Sequence, residues 1–282
     1  MATPAVALPN APRLDGMPVD SRVRLGIQVQ PQHAHYPAIR DTVLRLEDLG
    51  VDIVFNWDHF FPLSGDREGL HFEAWTMLGA WAEQTERVEF GTLVSCNSYR
   101  NADLQADMAR TLDHISAKDG VGRFIFGTGS GWFQRDYDEY GYEFGTPGTR
   151  LNALANALPR VEARWAKLNP APTRKIPVMI GGKGEQKTLK IVARHADIWH
   201  SFVSPDELGR KLDVLKRWGD EVGRDVSEIT VSNELTRRHV DLDYADALYD
   251  AGVRLFTLGV SGPGYDLSAV PEWLAWRDAK ND

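Results

Sequence analysis

The sequence contains one cysteine, Cys96, in 282 residues. An intrachain disulfide is therefore impossible, and a Cys-rich zinc site is excluded. Positive charge is also short: 32 Lys and Arg stand against 40 Asp and Glu, a net charge of −8. That balance argues against a nucleic-acid partner and leaves room for a local basic pocket. No stretch approaches the roughly 20 apolar residues of a membrane span. Residues 1–20 hold four prolines, but they lack the basic start and the unbroken run of about 7–15 apolar residues of a secretory signal. They read as a flexible leader, or a strap over the base of the fold, ahead of a single domain at 21–282. The expectation is a soluble, cytoplasmic, globular protein.

What is present is alternation. Short β-rich runs at 23–28, 52–56, 88–94, 123–127, 176–180, 196–200, 228–232 and 254–258 are separated by segments of helical period. The helices fall at 36–49, 72–84, 102–115, 150–168, 186–195, 205–222 and 244–251, with a short amphipathic one near 271–276. Within the first, Ile39, Val43, Leu46 and Leu49 recur at 3–4 spacing and Gly50 supplies the stop. Eight such units close an α/β (β/α)8 TIM barrel. An open doubly wound sheet would carry a Gly-rich fingerprint after its first strand, and none is there.

In a barrel of this kind the chemistry sits at the C-terminal strand ends. Those ends are rich in glycine, amide and hydroxyl groups and poor in carboxylates, which suits a large anionic cofactor better than acid–base hydrolysis. Gly181-Gly182-Lys183-Gly184 opens a helix, so backbone N–H groups and the helix dipole can meet a phosphate. Lys183, Lys187 and Lys190 put positive charge nearby; a plain βα turn with solvated lysines is the competing reading. In Gly127-Thr128-Gly129-Ser130-Gly131-Trp132, alternating glycines let a flat ring lie against the main chain, and Trp132 can stack on it or wall the pocket. Asp58-His59 ends the second strand, where an imidazole can handle a proton near neutral pH. A histidine merely satisfied by a loop carbonyl is the alternative.

Together these stretches resemble the bacterial-luciferase-like superfamily, and within it the oxidoreductases that use the deazaflavin coenzyme F420. The carrying motifs are Leu25-Gly26-Ile27-Gln28, the run from Leu49 to Phe60, the run from Val88 to Val94, Gly127 to Trp132, Pro177 to Gly182, and Ala196 to Trp199. The resemblance implies a luciferase-like barrel binding F420, or alternatively FMN, at its mouth. By position, His59 matches the family histidine near the ring, with Asp58 fixing the loop or the ring. Leu93-Val94 match a dipeptide joined by a non-prolyl cis bond behind it. Thr128, Gly129, Gly131 and Trp132 match the loop beside the cofactor tail. Gly181, Gly182 and Lys183 match the phosphate cradle.

The implied reaction is hydride transfer between the deazaflavin and a small organic substrate; the alternative is an FMN-dependent monooxygenase. Trp132 departs from the glutamate that some F420 dehydrogenases use as proton donor. The loops 68–72 and 136–148 are the expected substrate covers, and Tyr137, Tyr140, Tyr142 and Phe144 form an aromatic lid, plain loop packing or a dimer contact. Two further readings compete. His33 and His35 after the first strand, with His200 as a third ligand, would suit a metal-dependent hydrolase. A cofactor-binding barrel without turnover is the other. The apolar helix carrying Trp75, Met77, Leu78 and Trp81 suggests a homodimer contact.

Overall fold

Parallel strands buried on both faces are built from near-continuous apolar runs, and such runs recur along this chain. A computed structural model describes residues 22–235 and 240–282; the leader expected over residues 1–20 lies outside them. β1 (Arg24–Val29) leads to α1 (Tyr36–Leu49) and β2 (Ile53–Asn56) to α2 (Ala74–Gln84). β3 (Glu89–Thr92) and the two-residue β4 (Ser95–Cys96) lead to α3 (Ala102–Ile115). β5 (Phe124–Gly129) is followed by α4 (Gln134–Tyr140) and α5 (Pro147–Trp165), and β6 (Val178–Gly181) by α6 (Thr188–His195). β7 (Ile198–Ser201) leads to α7 (Pro205–Val222), and β8 (Thr230–Glu234) to α8 (Leu242–Asp250). β9 (Leu255–Val260) and α9 (Val270–Asn281) complete the order.

The strands pair in the order β3-β2-β1-β9-β8-β7-β6-β5-β4, and an additional β3–β5 pairing closes the ring into an eight-stranded parallel barrel. The single third strand expected at 88–94 is divided. It runs to Thr92, passes through the Leu93-Val94 peptide, which is cis, and resumes at Ser95, which pairs with Thr128. Gly91 and Gly127 allow the close approach at this seam. A Cβ at Gly91 would lie 2.3 Å from the Ile125 carbonyl oxygen, and one at Gly127 would lie 1.8 Å from that of Thr92.

Side chains alternate across each strand. One set, including Ile53, Phe55, Leu93, Ile125, Met179, Ile198 and Leu255, fills the barrel interior. The other packs under the helices, where Trp81, Trp199 and Trp273 are fully buried. α2 begins at Ala74, two residues later than expected, because the Glu73 carboxylate caps the N–H groups of Trp75 and Thr76. Its Trp75, Met77, Leu78 and Trp81 are buried within the chain itself, which removes the reason for assigning them to a subunit contact. α5 starts at Pro147 rather than residue 150, since Thr146 and Thr149 form a capping box ahead of it. α4 occupies part of what was expected to be a loop. α9 is twice the expected length, and Trp276 packs edge-on against Phe256 at 4.8 Å.

Candidate active site

Alternation carries Gln28, Gln30, His200 and Ser232 to the barrel interior at its C-terminal end. His200 follows the interior residue Ile198 by two positions and pairs in register with Ser232. Gln28 Nε2 donates to the carbonyl of Leu93 at 2.8 Å, which ties β1 to the Leu93-Val94 turn. Two buried polar atoms here, Gln30 Nε2 and His200 Nε2, have no partner among the described residues. His200 Nδ1 lies 2.9 Å from Ser232 Oγ, and burial holds the ring down at about 3, so it is neutral. Unpartnered groups of this kind at a barrel mouth fit a polar ligand edge.

Val94 lies between Gly129 and Gly181. A Cβ on Gly129 would come within 2.9 Å of a Val94 methyl, and one on Gly181 within 3.1 Å. The surface between them is therefore backbone and one isopropyl group, a flat apolar floor suited to a planar ring. Beyond it, Gly182 takes φ +128°, a conformation that favours glycine, and the chain enters α6, whose Lys187 N-cap makes no side-chain capping bond. The Leu189 N–H at its start is already held by the Gly184 carbonyl at 2.9 Å, and the positive end of the helix dipole beside it suits a phosphate. Among the residues present, Gly129, Gly181, Gly182, Gln30 and His200 thus fit a ring-and-phosphate cofactor. The three lysines divide. Lys190 turns to Glu221 at 2.6 Å, Lys187 donates to Asn152 at 3.0 Å, and Lys183 is exposed beside the cradle.

His59 is pressed among three rings, with centroids of Trp57 at 6.1 Å, Trp132 at 5.6 Å and Phe133 at 5.5 Å, all edge-on. Trp57 is itself held by His71, whose Nε2 accepts from the indole N–H at 3.0 Å. Burial, and then the neighbouring His59, hold His71 down at about 4. The carboxylate partner of His59 is Asp136 in α4, at 2.7 Å from Nδ1, and not its sequence neighbour Asp58. Asp58 points the other way. It is buried, receives both arms of Arg100 at 2.6 and 3.0 Å, and accepts from the Cys96 N–H at 3.2 Å. A direct catalytic or ring-binding role for Asp58 is thereby corrected to support of the loop: β2 ends at Asn56, and in the loop beyond it the carboxylate is taken up by Arg100 and the Cys96 N–H.

Thr128 is also corrected. By alternation it shares the face of β5 with Phe126 rather than with Gly129, and it is buried there with no hydrogen-bond partner for its hydroxyl among the described residues. Gly131, at φ +78°, passes so close to α4 that a Cβ would meet Tyr137 Oη at 2.1 Å and Cys96 Sγ at 2.5 Å. Trp132 is 62% exposed and Phe202 is 61% exposed. Each rests edge-on against a mouth histidine, Trp132 on His59 and Phe202 on His200 at 4.9 Å. At the edges of the two expected covers, Arg135 of α4, just before 136–148, donates to the Arg67 carbonyl at 2.7 Å, pairs with Glu68, and sits 3.9 Å above the Phe61 ring. Tyr140 stacks on Phe60 at 4.0 Å.

The metal-hydrolase grouping is not assembled. His33 Nε2 contacts the Ser64 carbonyl at 2.7 Å, His35 precedes α1, and His200 is buried against Ser232. Among the described residues, no three His, Cys, Asp or Glu side chains are placed to share a metal. Sequence reading missed Asp136, Arg100 and His71. Asp136 stands in a run with Asp138, Glu139 and Glu143, and nothing in the order of those carboxylates marks the one that turns inward.

Comparison with known proteins agrees with this geometry. A putative coenzyme F420-dependent oxidoreductase of Mycobacterium tuberculosis is 28% identical over 235 residues, covering 72% of this chain and 61% of that protein. An F420-dependent glucose-6-phosphate dehydrogenase of Amycolatopsis mediterranei is 28% identical over 172 residues, covering 54% and 48%. The chain thus spans less than two thirds of the length of these curated relatives. Among solved structures, an F420-dependent secondary alcohol dehydrogenase bound to an F420-acetone adduct superposes with a TM-score of 0.75 at 17% identity, covering 89% of this chain and 96% of that one. The oxygenating constituent of an FMN-bound type II Baeyer-Villiger monooxygenase from Pseudomonas putida gives 0.65 at 15%, covering 91% and 96%. At these identities the structures speak for the fold. A family profile described as luciferase-like monooxygenase matches residues 19–267, and the chain belongs to that family.

Proposed function

We propose that this chain is an oxidoreductase that binds coenzyme F420 at the barrel mouth and acts on a small organic substrate. The observation that carries the reading is the flat floor formed by Val94 between Gly129 and Gly181, at the same end of the barrel as His59. F420, held over this floor, would supply the hydride acceptor or donor for a substrate carbon that passes between hydroxyl and carbonyl. The chain's own residues orient and shield. Gln28 fixes the Leu93 carbonyl behind the floor, and the N-terminus of α6 with Gly182 receives a phosphate. Trp57, Trp132 and Phe133 exclude water around His59. His59 handles the proton of the substrate oxygen, since Trp132 cannot.

The F420-named relatives support this cofactor; the FMN-bound neighbour keeps the monooxygenase reading as the competing outcome. Fluorescence titration of the purified protein decides between them. F420 binding with a Kd below about 100 μM is expected, with FMN at least tenfold weaker. The opposite order would replace the proposal with the FMN reading, and binding of neither would remove both.

A further inference from the structure

His59 receives its carboxylate from another part of the chain. Asp136 belongs to α4, the short helix covering the mouth, and its side chain is fully buried. It accepts three hydrogen bonds. His59 Nδ1 at 2.7 Å and Tyr99 Oη at 2.9 Å reach Oδ2, and the backbone N–H of Phe60 reaches Oδ1 at 3.0 Å. One carboxylate thus holds the imidazole and the backbone just beyond it. Burial pushes the Tyr99 hydroxyl up, so it stays a donor to Asp136. A carboxylate on Nδ1 fixes the neutral ring as the Nδ1–H tautomer, with the lone pair on Nε2. Among the described residues no group bonds Nε2, and the ring keeps 11% of its side-chain surface exposed.

We infer that Asp136 is a positioning residue that sets the tautomer and orientation of His59. The helix that covers the substrate thereby also completes the proton-handling pair. Nε2 can then take a proton from a substrate hydroxyl, or return it in the reverse direction, while the charge that develops on the ring is met by Asp136. The other titratable or charged groups around the pair are Tyr99 and His71, with Cys96, Tyr137, His33 and the Asp58–Arg100 pair behind them. The consequence for turnover rests on the oxidoreductase reading; the consequence for the ring does not.

The test is nitrogen-15 NMR of the histidines in the full-length, cofactor-free protein, joined to steady-state kinetics with F420. Wild-type His59 is expected as the Nδ1–H tautomer. Asp136→Asn should mix the tautomers, and Asp136→Glu should restore the Nδ1–H form. In kinetics, Asp136→Asn should lower kcat by about 100-fold, the lower end of general acid–base effects, with KM changed less than about threefold. Should Asp136→Asn fail to fold, Tyr99→Phe leaves the carboxylate on Nδ1 and should keep the Nδ1–H tautomer; its loss there would assign the hold on the ring to Tyr99 and overturn the inference. An unchanged tautomer in Asp136→Asn overturns the inference whether or not F420 binds. The expected NMR result in a protein that binds no F420 sustains it and overturns the oxidoreductase reading alone.

Discussion

Asp58 and Arg100 meet in a two-pronged ion pair, at 2.6 and 3.0 Å, behind the loop that carries His59. Arg100 reaches onward to Glu73 at 2.6 Å, the residue that caps α2, so one guanidinium ties the second strand end to the following helix. Burial acts to raise the Asp58 carboxyl, and Arg100 opposes it. Arg100→Ala strands a buried carboxylate, which costs about 3–5 kcal/mol. Urea unfolding at pH 7 measures it, and a loss under about 1 kcal/mol would show that Asp58 takes up a proton without strain on the fold. Asp58→Asn should lower stability while leaving the His59 tautomer intact, the reverse of what is expected for Asp136→Asn.

Two buried histidines give the fold an acid limb. Burial lowers His200 to about 3 and His71 to about 4, whereas an unfolded histidine titrates near about 6.5. Between these values the unfolded chain binds more protons than the folded one, so stability rises with pH. The contribution is complete above about pH 6.5 and is lost as pH falls toward 4. His200 alone should account for about 2 kcal/mol between pH 7 and pH 5. His200→Gln should flatten that part of a urea-derived stability profile. A variant with the same slope as wild type would place the acid limb elsewhere.

The barrel was readable because its signal is redundant: eight apolar runs, each with a helix or turn after it, survive errors of one or two residues at every boundary. The mouth glycines stood out after their strands, where a side chain at Gly129 or Gly181 would crowd Val94. Their reading as a cofactor cradle rested on the family resemblance, since a glycine after a strand also serves a plain turn. His59 was legible as a strand-end histidine, and its partner was not. The neighbouring Asp58 is the carboxylate that sequence proximity offers, but it is occupied by Arg100, and the true partner lies 77 positions away. Thr128 was misplaced by the alternation of side chains along β5. α4 was hidden because its seven residues are mostly polar and aromatic, with too little periodicity to distinguish a lid helix from a loop.

Cys96 offers a reporter for that lid. The thiol is 4% exposed, burial pushes it up, and Tyr137 Oη of α4 covers it at 3.1 Å. In the closed arrangement it should react slowly with thiol reagents, since both thiolate and access are scarce. Arg135→Ala removes the clasp to Arg67, Glu68 and Phe61. If this loosens α4 by about 1.4 kcal/mol, native-state labelling of Cys96 should quicken about tenfold. The global melting transition should remain in place. Equal labelling rates in the two proteins would show that α4 docks without the clasp.

Gly127 and Gly181 separate folding from cofactor binding. Both end at the barrel mouth, and both lack a side chain for a spatial reason, but the atoms they avoid differ. A Cβ on Gly127 would lie 1.8 Å from the backbone oxygen of Thr92, which belongs to the seam that closes the ring and has nowhere to go. Gly127→Ala should therefore destabilise by several kcal/mol, in the range of overpacked or strained core sites, about 1–3 or more. A Cβ on Gly181 would meet only the Val94 methyls, at 3.1 and 3.3 Å, and a few tenths of an ångström of side-chain movement relieves that. Gly181→Ala should keep the melting temperature within a few degrees while roughening the floor on which a planar ring would rest. Its expected cost is a tenfold or greater weakening of F420 binding, about 1.4 kcal/mol. Calorimetry on both variants beside the fluorescence titration checks the pair. If Gly181→Ala binds F420 as tightly as wild type, the ring does not lie over Val94.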